Sequence, residues 1–212
     1  MEIAVPLYDR FTALDAVGPY EVLWRLPGAS VRWVAAEARP YATDRGLQLI
    51  PDTTLDDVAA PDVLVVPGGT GTRDTLGDER LVDWIRAAHG TSTWTTSVCT
   101  GALLLGAAGV LDGLRATTHW AFLDALAAYG AEPVSDERVV EQGKVVTSAG
   151  VSSGIDMALT LAARIAGDDV AQAIQLRIEY DPQPPFHSGS TATAPPHVRE
   201  LASSPTPTPM RA

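Results

Sequence analysis

The chain reads as an α/β protein built on a doubly wound, mainly parallel sheet with helices on both faces. Short β-prone apolar runs alternate with helical stretches along its 212 residues, the pattern of repeated βαβ units. One run, Asp62 to Val66 (DVLVV), is apolar almost throughout, as a strand buried on both faces must be. A third observation is the strand-to-helix corner at Cys99, in TTSVCTGALLLGAAGVL. Such a corner belongs at the carboxyl edge of the sheet, where ligands bind.

The elements follow in order. Ile3 to Tyr8 is the first strand, although Pro6 within it removes a ladder donor. Gly18 to Leu26 (GPYEVLWRL) is a helix opened by Pro19 in its first turn, where a missing N–H costs nothing. Val31 to Ala36 is the second strand, and YATDRGLQLIP is a hairpin around Asp44-Arg45-Gly46. After DVLVV and the PGGTGT loop, Asp78 to His89 places Leu81, Trp84, Ile85 and Ala88 on one helical face, and Gly90 ends it. Thr91 to Val98 returns as a strand, and Thr100 to Leu111 is a buried helix. RATTHWAFLDALAAYG gives a short strand and a helix closed by Gly130, and ERVVEQGKVVTSAG a hairpin turning at Gln142-Gly143. Ser152 to Ile165 and Val170 to Glu179 are two further helices. Residues 1–202 are expected to form one domain, with the Pro/Ser/Thr-rich 203–212 (SSPTPTPMRA) a disordered tail.

Net charge is −11 and the pI about 4.6, which repels nucleic-acid phosphates and anionic membrane surfaces. A single cysteine cannot form an internal disulfide, and the longest apolar run, Ala102 to Leu111, falls far short of the ~20 residues that span a bilayer. A cytoplasmic protein is expected. One cysteine and four scattered histidines offer no metal-ligand spacing, and PGGTGT is neither a dinucleotide fingerprint nor a Walker loop. No cofactor is therefore assigned.

In a sheet of order 2-1-3-4-5 the first, third and fourth strands lie side by side. Three loops then converge: one carrying Asp15, one carrying Gly68 and Gly69, and the corner at Cys99. A thiol there opens a helix, whose unpaired N–H groups favour thiolate. The corner has the form of a nucleophile elbow, with Gly101 leaving room for neighbouring backbone. N–H groups of Thr100 and Gly69 are placed to stabilise developing charge, and Asp15 is the candidate acid/base. Each residue also has a structural reading: Cys99 as a small apolar core residue, and Asp15 as a turn or cap residue before Gly18-Pro19. Glu21 is a rival carboxylate. His89 suits its helix C-terminus, and His119 is either a cap or a neighbour of the thiol. His187 lies in a loop suited to substrate or subunit contact, and His197 at the start of the tail.

The segment SVCTGALLLGAAGVLDGLRATTHW resembles the nucleophile region of the ThiJ/PfpI superfamily, and in particular the isonitrile (isocyanide) hydratases. The likeness extends through LDAVGPYEV, VPGGTGT, ERVVEQGKVVTSAGVSSGIDMALTLAA and QLRIEYDPQPPFHSGS, almost the whole chain. It implies the flavodoxin-like, class I glutamine amidotransferase-like fold, and cofactor-free addition of water to R–N≡C to give a formamide. Cys99 would be the nucleophile forming a covalent thioimidate, Asp15 the group that activates water and moves protons, and Thr100 the residue that positions substrate or water. A homodimer is also implied. The chain departs from other branches. Thr100 replaces the histidine that follows the cysteine in the protease-like branch, and the His-x-Glu pair of the amidotransferases is missing. Ser148 and Ala149 stand where the family tends toward glycine, and Asp9-Arg10 where it tends toward Pro-Gly. Glyoxalase or deglycase chemistry on α-oxoaldehydes, and a non-enzymatic small-molecule or redox sensor, are the alternatives for the same thiol.

Overall fold

The computed structural model describes residues 1–204. Strand β1 (Glu2–Leu7) leads into helix α1 (Ala13–Leu23), followed by β2 (Ser30–Ala35), the hairpin of β3 (Tyr41–Ala42) and β4 (Gln48–Leu49), and β5 (Thr53–Thr54). Next come β6 (Val63–Val66), α2 (Thr72–Thr75), α3 (Glu79–Thr91), β7 (Trp94–Val98) and α4 (Gly101–Ala107). Strands β8 (Arg115–Ala116) and β9 (Glu132–Pro133) flank a 3-10 helix, Trp120–Tyr129. The antiparallel pair β10 (Val139–Gln142) and β11 (Val145–Ser148) precedes α5 (Ser153–Ala166) and α6 (Asp168–Arg177).

Seven strands form one sheet in the order β10-β11-β7-β6-β1-β2-β5. Every neighbouring pair is parallel except β10–β11. The five principal strands therefore run 2-1-3-4-5, with β1, β6 and β7 adjacent as expected. All four residues of β6 are buried, because helices cover both faces of a parallel sheet. Pro6 is tolerated because the β1–β6 register covers only Ile3 and Ala4, so the missing donor falls beyond that ladder. Helix α3 buries Leu81, Trp84, Ile85 and Ala88, and the Asp78 side chain accepts from the Leu81 N–H at 3.2 Å.

Several boundaries differ from expectation for identifiable reasons. Helix α1 begins at Ala13, five residues before the Gly18-Pro19 start, so Pro19 is interior. Tertiary packing outweighs the local signal: a Cβ on Gly18 would stand 3.3 Å from Ile155 Cγ1, and one on Gly154 3.2 Å from Pro19 Cδ. The small residues let α1 and α5 pack closely, and Asp15 is thereby placed in a helical turn, not a loop. Helix α3 continues through Gly90 to Thr91, which delays β7 to Trp94. Helix α4 stops at Ala107, where Gly109 turns left-handed at φ 76°. The helix after β8 is 3-10 rather than α, closed as expected by left-handed Gly130.

The chain divides into two compact units, Met1–Glu179 and the remainder from Tyr180. The second unit contains α7 (Pro196–Ser203), which starts with a proline at its first turn and includes His197. His187 is an exposed residue of the same unit. Of the expected tail, Ser203 ends α7, while 205–212 lie outside the described residues.

Candidate active site

The carboxyl ends of β1, β6 and β7 are neighbours, and the residues leaving them meet. Cys99 follows β7 directly at φ 57°, a left-handed conformation costing a non-glycine residue of order 1–3 kcal/mol. The surroundings hold it there. Its N–H donates to Ser148 O at 3.2 Å and to Ala149 O at 2.9 Å, and the Thr118 hydroxyl donates to its carbonyl at 2.6 Å. This is the geometry of a nucleophile elbow. The glycines around it are required by close approach: a Cβ on Gly101 would lie 2.1 Å from Val66 O, and one on Gly68 2.4 Å from Thr100 N.

Asp15 arrives from the first turn of α1 and is fully buried. Its Oδ2 accepts from the Gly68 N–H at 3.0 Å, and the carboxyl is paired with the Cys99 thiol. Oδ1 is buried with no hydrogen bond of standard geometry. Burial dominates the titration of both groups. It pushes Asp15 up to about 7, against the Gly68 N–H and the thiol, which favour the carboxylate. Burial and the nearby Asp15 push Cys99 up to about 12, against the N–H groups of Val151 and Thr100. The helix N–H groups expected to favour thiolate are thus outweighed by burial. Helix α4 has only seven residues, and its N-terminus does not offset desolvation beside a carboxyl group. At neutral pH the pair is a thiol next to a carboxyl near its midpoint.

Thr100 Oγ1 accepts from the Gly69 N–H at 2.9 Å and lies 2.8 Å from Thr72 Oγ1. The Gly69 N–H expected to stabilise substrate charge is thus engaged by Thr100, and that of Gly68 by Asp15. The backbone donors bearing on the sulfur belong to Thr100 and Val151. Val151 escaped the sequence reading. It adopts φ 38°, a region a β-branched residue rarely enters, and nothing in its identity marks it.

His119 Nδ1 accepts from the Ala121 N–H at 3.3 Å, capping the 3-10 helix. Its ring lies over Gly150, where a Cβ would approach Cδ2 to 2.7 Å. Burial lowers its pKa below the ordinary histidine value. It buttresses the turn before Val151 and is not among the groups acting on the sulfur. Ser148 is buried, donating to Ser97 O at 3.0 Å; with Ala149 it supplies the carbonyls that hold the Cys99 peptide. His89 bonds Thr95 Oγ1 at 2.9 Å, and Glu21 pairs with Arg25 within α1 and the turn after it, so neither joins the site. A cavity of about 310 Å³, lined by Tyr8, Arg10, Arg39 and Tyr41 among others, opens at the end of β1, and Cys99 is not in its lining. Among the described residues no cluster of three or more His, Cys, Asp or Glu side chains could hold a metal ion.

A cysteine on a strand-to-helix elbow, opposed by a buried carboxyl at the carboxyl edge of a doubly wound sheet, is the arrangement that defines the class of this α/β protein. The chain belongs to the DJ-1/PfpI family, which matches residues 1–164. It is 48% identical over 202 residues to the isonitrile hydratase of Pseudomonas putida, covering 95% of this chain and 88% of that protein. It is 30% identical over 172 residues to the HTH-type transcriptional regulator CdhR of Pseudomonas aeruginosa, covering 80% of this chain but 51% of that protein. A crystal structure of a ThiJ/PfpI family protein from Pseudomonas syringae matches with a TM-score of 0.92 at 39% identity, covering 95% of this chain and 84% of that one.

Proposed function

We propose that this protein is an isonitrile hydratase, converting R–N≡C and water to R–NH–CHO through Cys99. The observation that carries the reading is the buried Cys99–Asp15 pair, set in a chain 48% identical to such an enzyme. The terminal carbon of an isonitrile accepts both a nucleophile and a proton, which a thiol beside a carboxylate supplies together. The Asp15 carboxylate takes the thiol proton as sulfur bonds to carbon, then returns it to the same carbon, giving the thioimidate R–N=CH–S–Cys99. Water adds across C=N, oxygen to carbon and hydrogen to nitrogen. The C–S bond then breaks, and the hydroxyl proton returns to sulfur through Asp15. Thiol and carboxylate are regenerated. The Thr100 and Val151 N–H groups favour charge on the departing sulfur, and the Thr100 hydroxyl positions water or substrate.

The same reading takes 1–202 as one functional domain and the working species as a homodimer. Light scattering on a sizing column tests the homodimer. A cytoplasmic site of action completes the proposal; no helix among the described residues is long and apolar enough to cross a membrane. The deciding experiment is chromatographic detection of formamide from cyclohexyl isonitrile. Formation that disappears in folded Cys99→Ala is expected. Turnover retained by Cys99→Ala rejects the mechanism, and a folded wild type that yields no formamide rejects the activity.

A further inference from the structure

A file of buried hydroxyls runs inward from Thr100, the residue that follows Cys99. Thr100 Oγ1 lies 2.8 Å from Thr72 Oγ1, which lies 3.0 Å from the Tyr8 hydroxyl, which lies 2.9 Å from the Pro67 carbonyl oxygen. Tyr8, Thr72 and Thr100 are each no more than 5% exposed. At the other end, Thr100 Oγ1 receives the Gly69 N–H at 2.9 Å and stands 3.2 Å from Gly69 O.

The direction of the file follows from counting protons. Each hydroxyl has one proton, and a carbonyl oxygen can only accept. If Tyr8 donates to Pro67, Tyr8 must accept from Thr72, and Thr72 must accept from Thr100. The three protons then fill the three shorter contacts and leave bare only the longest, Thr100 Oγ1 to Gly69 O. Every other placement puts two buried oxygens within 3.0 Å of each other with no proton between them, and unmade hydrogen bonds are expensive there. Burial also pushes the Tyr8 hydroxyl above its ordinary pKa, so Tyr8 keeps its proton at any working pH.

We propose that Tyr8 and Thr72 are positioning residues for the reaction at Cys99: they draw the Thr100 proton away from the thiol, fix its side chain in one rotamer, and leave Thr100 Oγ1 an acceptor only. One lone pair is taken by the Gly69 N–H; the other is left for a water O–H or the N–H of the collapsing intermediate. The same anchoring fixes the Thr100 peptide N–H that bears on the sulfur. The proposal rests on the hydratase reading and on Thr100 contacting the reacting groups.

Thr72→Val preserves shape and removes the acceptor of the Thr100 proton, whereas Thr72→Ser preserves the hydroxyl. With cyclohexyl isonitrile, Thr72→Val is expected to lower kcat by about tenfold with KM little changed, and Thr72→Ser to stay within about threefold of wild type. Tyr8→Phe gives a smaller loss. In a Thr100→Val background, Thr72→Val should have no further effect, because its influence passes through that hydroxyl. An unchanged kcat in Thr72→Val, or a loss that adds to that of Thr100→Val and follows Tm, overturns the proposal. A wild type inactive on isonitriles defeats the functional reading, and the file is then judged by the rate constant of Cys99 alkylation with iodoacetamide at about pH 8. A rate changed at least about threefold in Thr72→Val, restored in Thr72→Ser and insensitive to Thr72 in the Thr100→Val background supports it; equal rates overturn it.

Discussion

Replacing Asp15 by asparagine should make the protein more stable and less active, and the gain should grow with pH. The folded-state pKa of Asp15 is raised from 3.8 to about 7, chiefly by burial. Between those values the folded protein holds a proton that the unfolded chain has released. Stability contributed by the neutral carboxyl is therefore eroded as pH rises through this window, and the erosion is complete just above 7. At about 1.4 kcal/mol per unit the full penalty is about 4 kcal/mol, of which about 2 to 3 kcal/mol falls between pH 5 and pH 9. Asparagine has the shape of the neutral acid, its carbonyl can still receive the Gly68 N–H, and it carries no charge at any pH. Urea unfolding of wild type and Asp15→Asn at pH 5, 7 and 9 reads the difference directly. His89 and His119, both lowered by burial, contribute stability that is gained as pH rises, and they cancel in the comparison. A gap between the proteins constant to about 0.5 kcal/mol across that range would refute the reasoning, because it would mean that Asp15 does not carry a buried charge at high pH.

The same pair sets the pH dependence of turnover: kcat/KM should rise through pH 6 to 8 with an apparent pKa near the Asp15 value of about 7, because the carboxylate must be free to take the thiol proton. A steady-state profile that instead follows thiol ionisation, climbing toward the Cys99 value of about 12, would assign Asp15 no role as base. Gly101→Ala places a Cβ 2.1 Å from Val66 O, and since that neighbour is strand backbone the variant should lose about 2 to 3 kcal/mol of stability together with activity. Thermal unfolding within a degree of wild type would show that the corner has room to relax.

Much of the sheet was legible because its determinants are local. The apolar run Val63–Val66 and the stripe of Leu81, Trp84, Ile85 and Ala88 on α3 identify their elements by pattern alone. The corner at Cys99 was also legible, since a β-prone run ends at Val98 and a small, apolar helical stretch opens at Thr100-Gly101. Other features depend on residues distant in sequence. Gly18-Pro19 looks like a helix start, and only the approach of Gly154 and Ile155 from α5 shows why the helix runs through it. Val151 lies 52 positions after Cys99 in the sequence, and its contribution is a backbone N–H in a conformation its side chain argues against. The protonation of the thiol was not legible for a similar reason: the helix N-terminus is visible in sequence, whereas the desolvation that outweighs it is a property of the packed interior.

That desolvation bears on how long the nucleophile survives. Oxidants and alkylating agents attack thiolate, not thiol, and Cys99 is 5% exposed with its ionisation pushed far above neutrality. At neutral pH peroxide therefore meets a sulfur whose ionised, reactive form is scarce, with no second cysteine in the chain to trap it as a disulfide. A reagent that can receive a proton at the very atom the sulfur attacks has a route the others lack. On the hydratase mechanism proposed above, chemical durability and substrate selectivity have one origin: Cys99 stays uncharged until it meets a molecule that also accepts its proton.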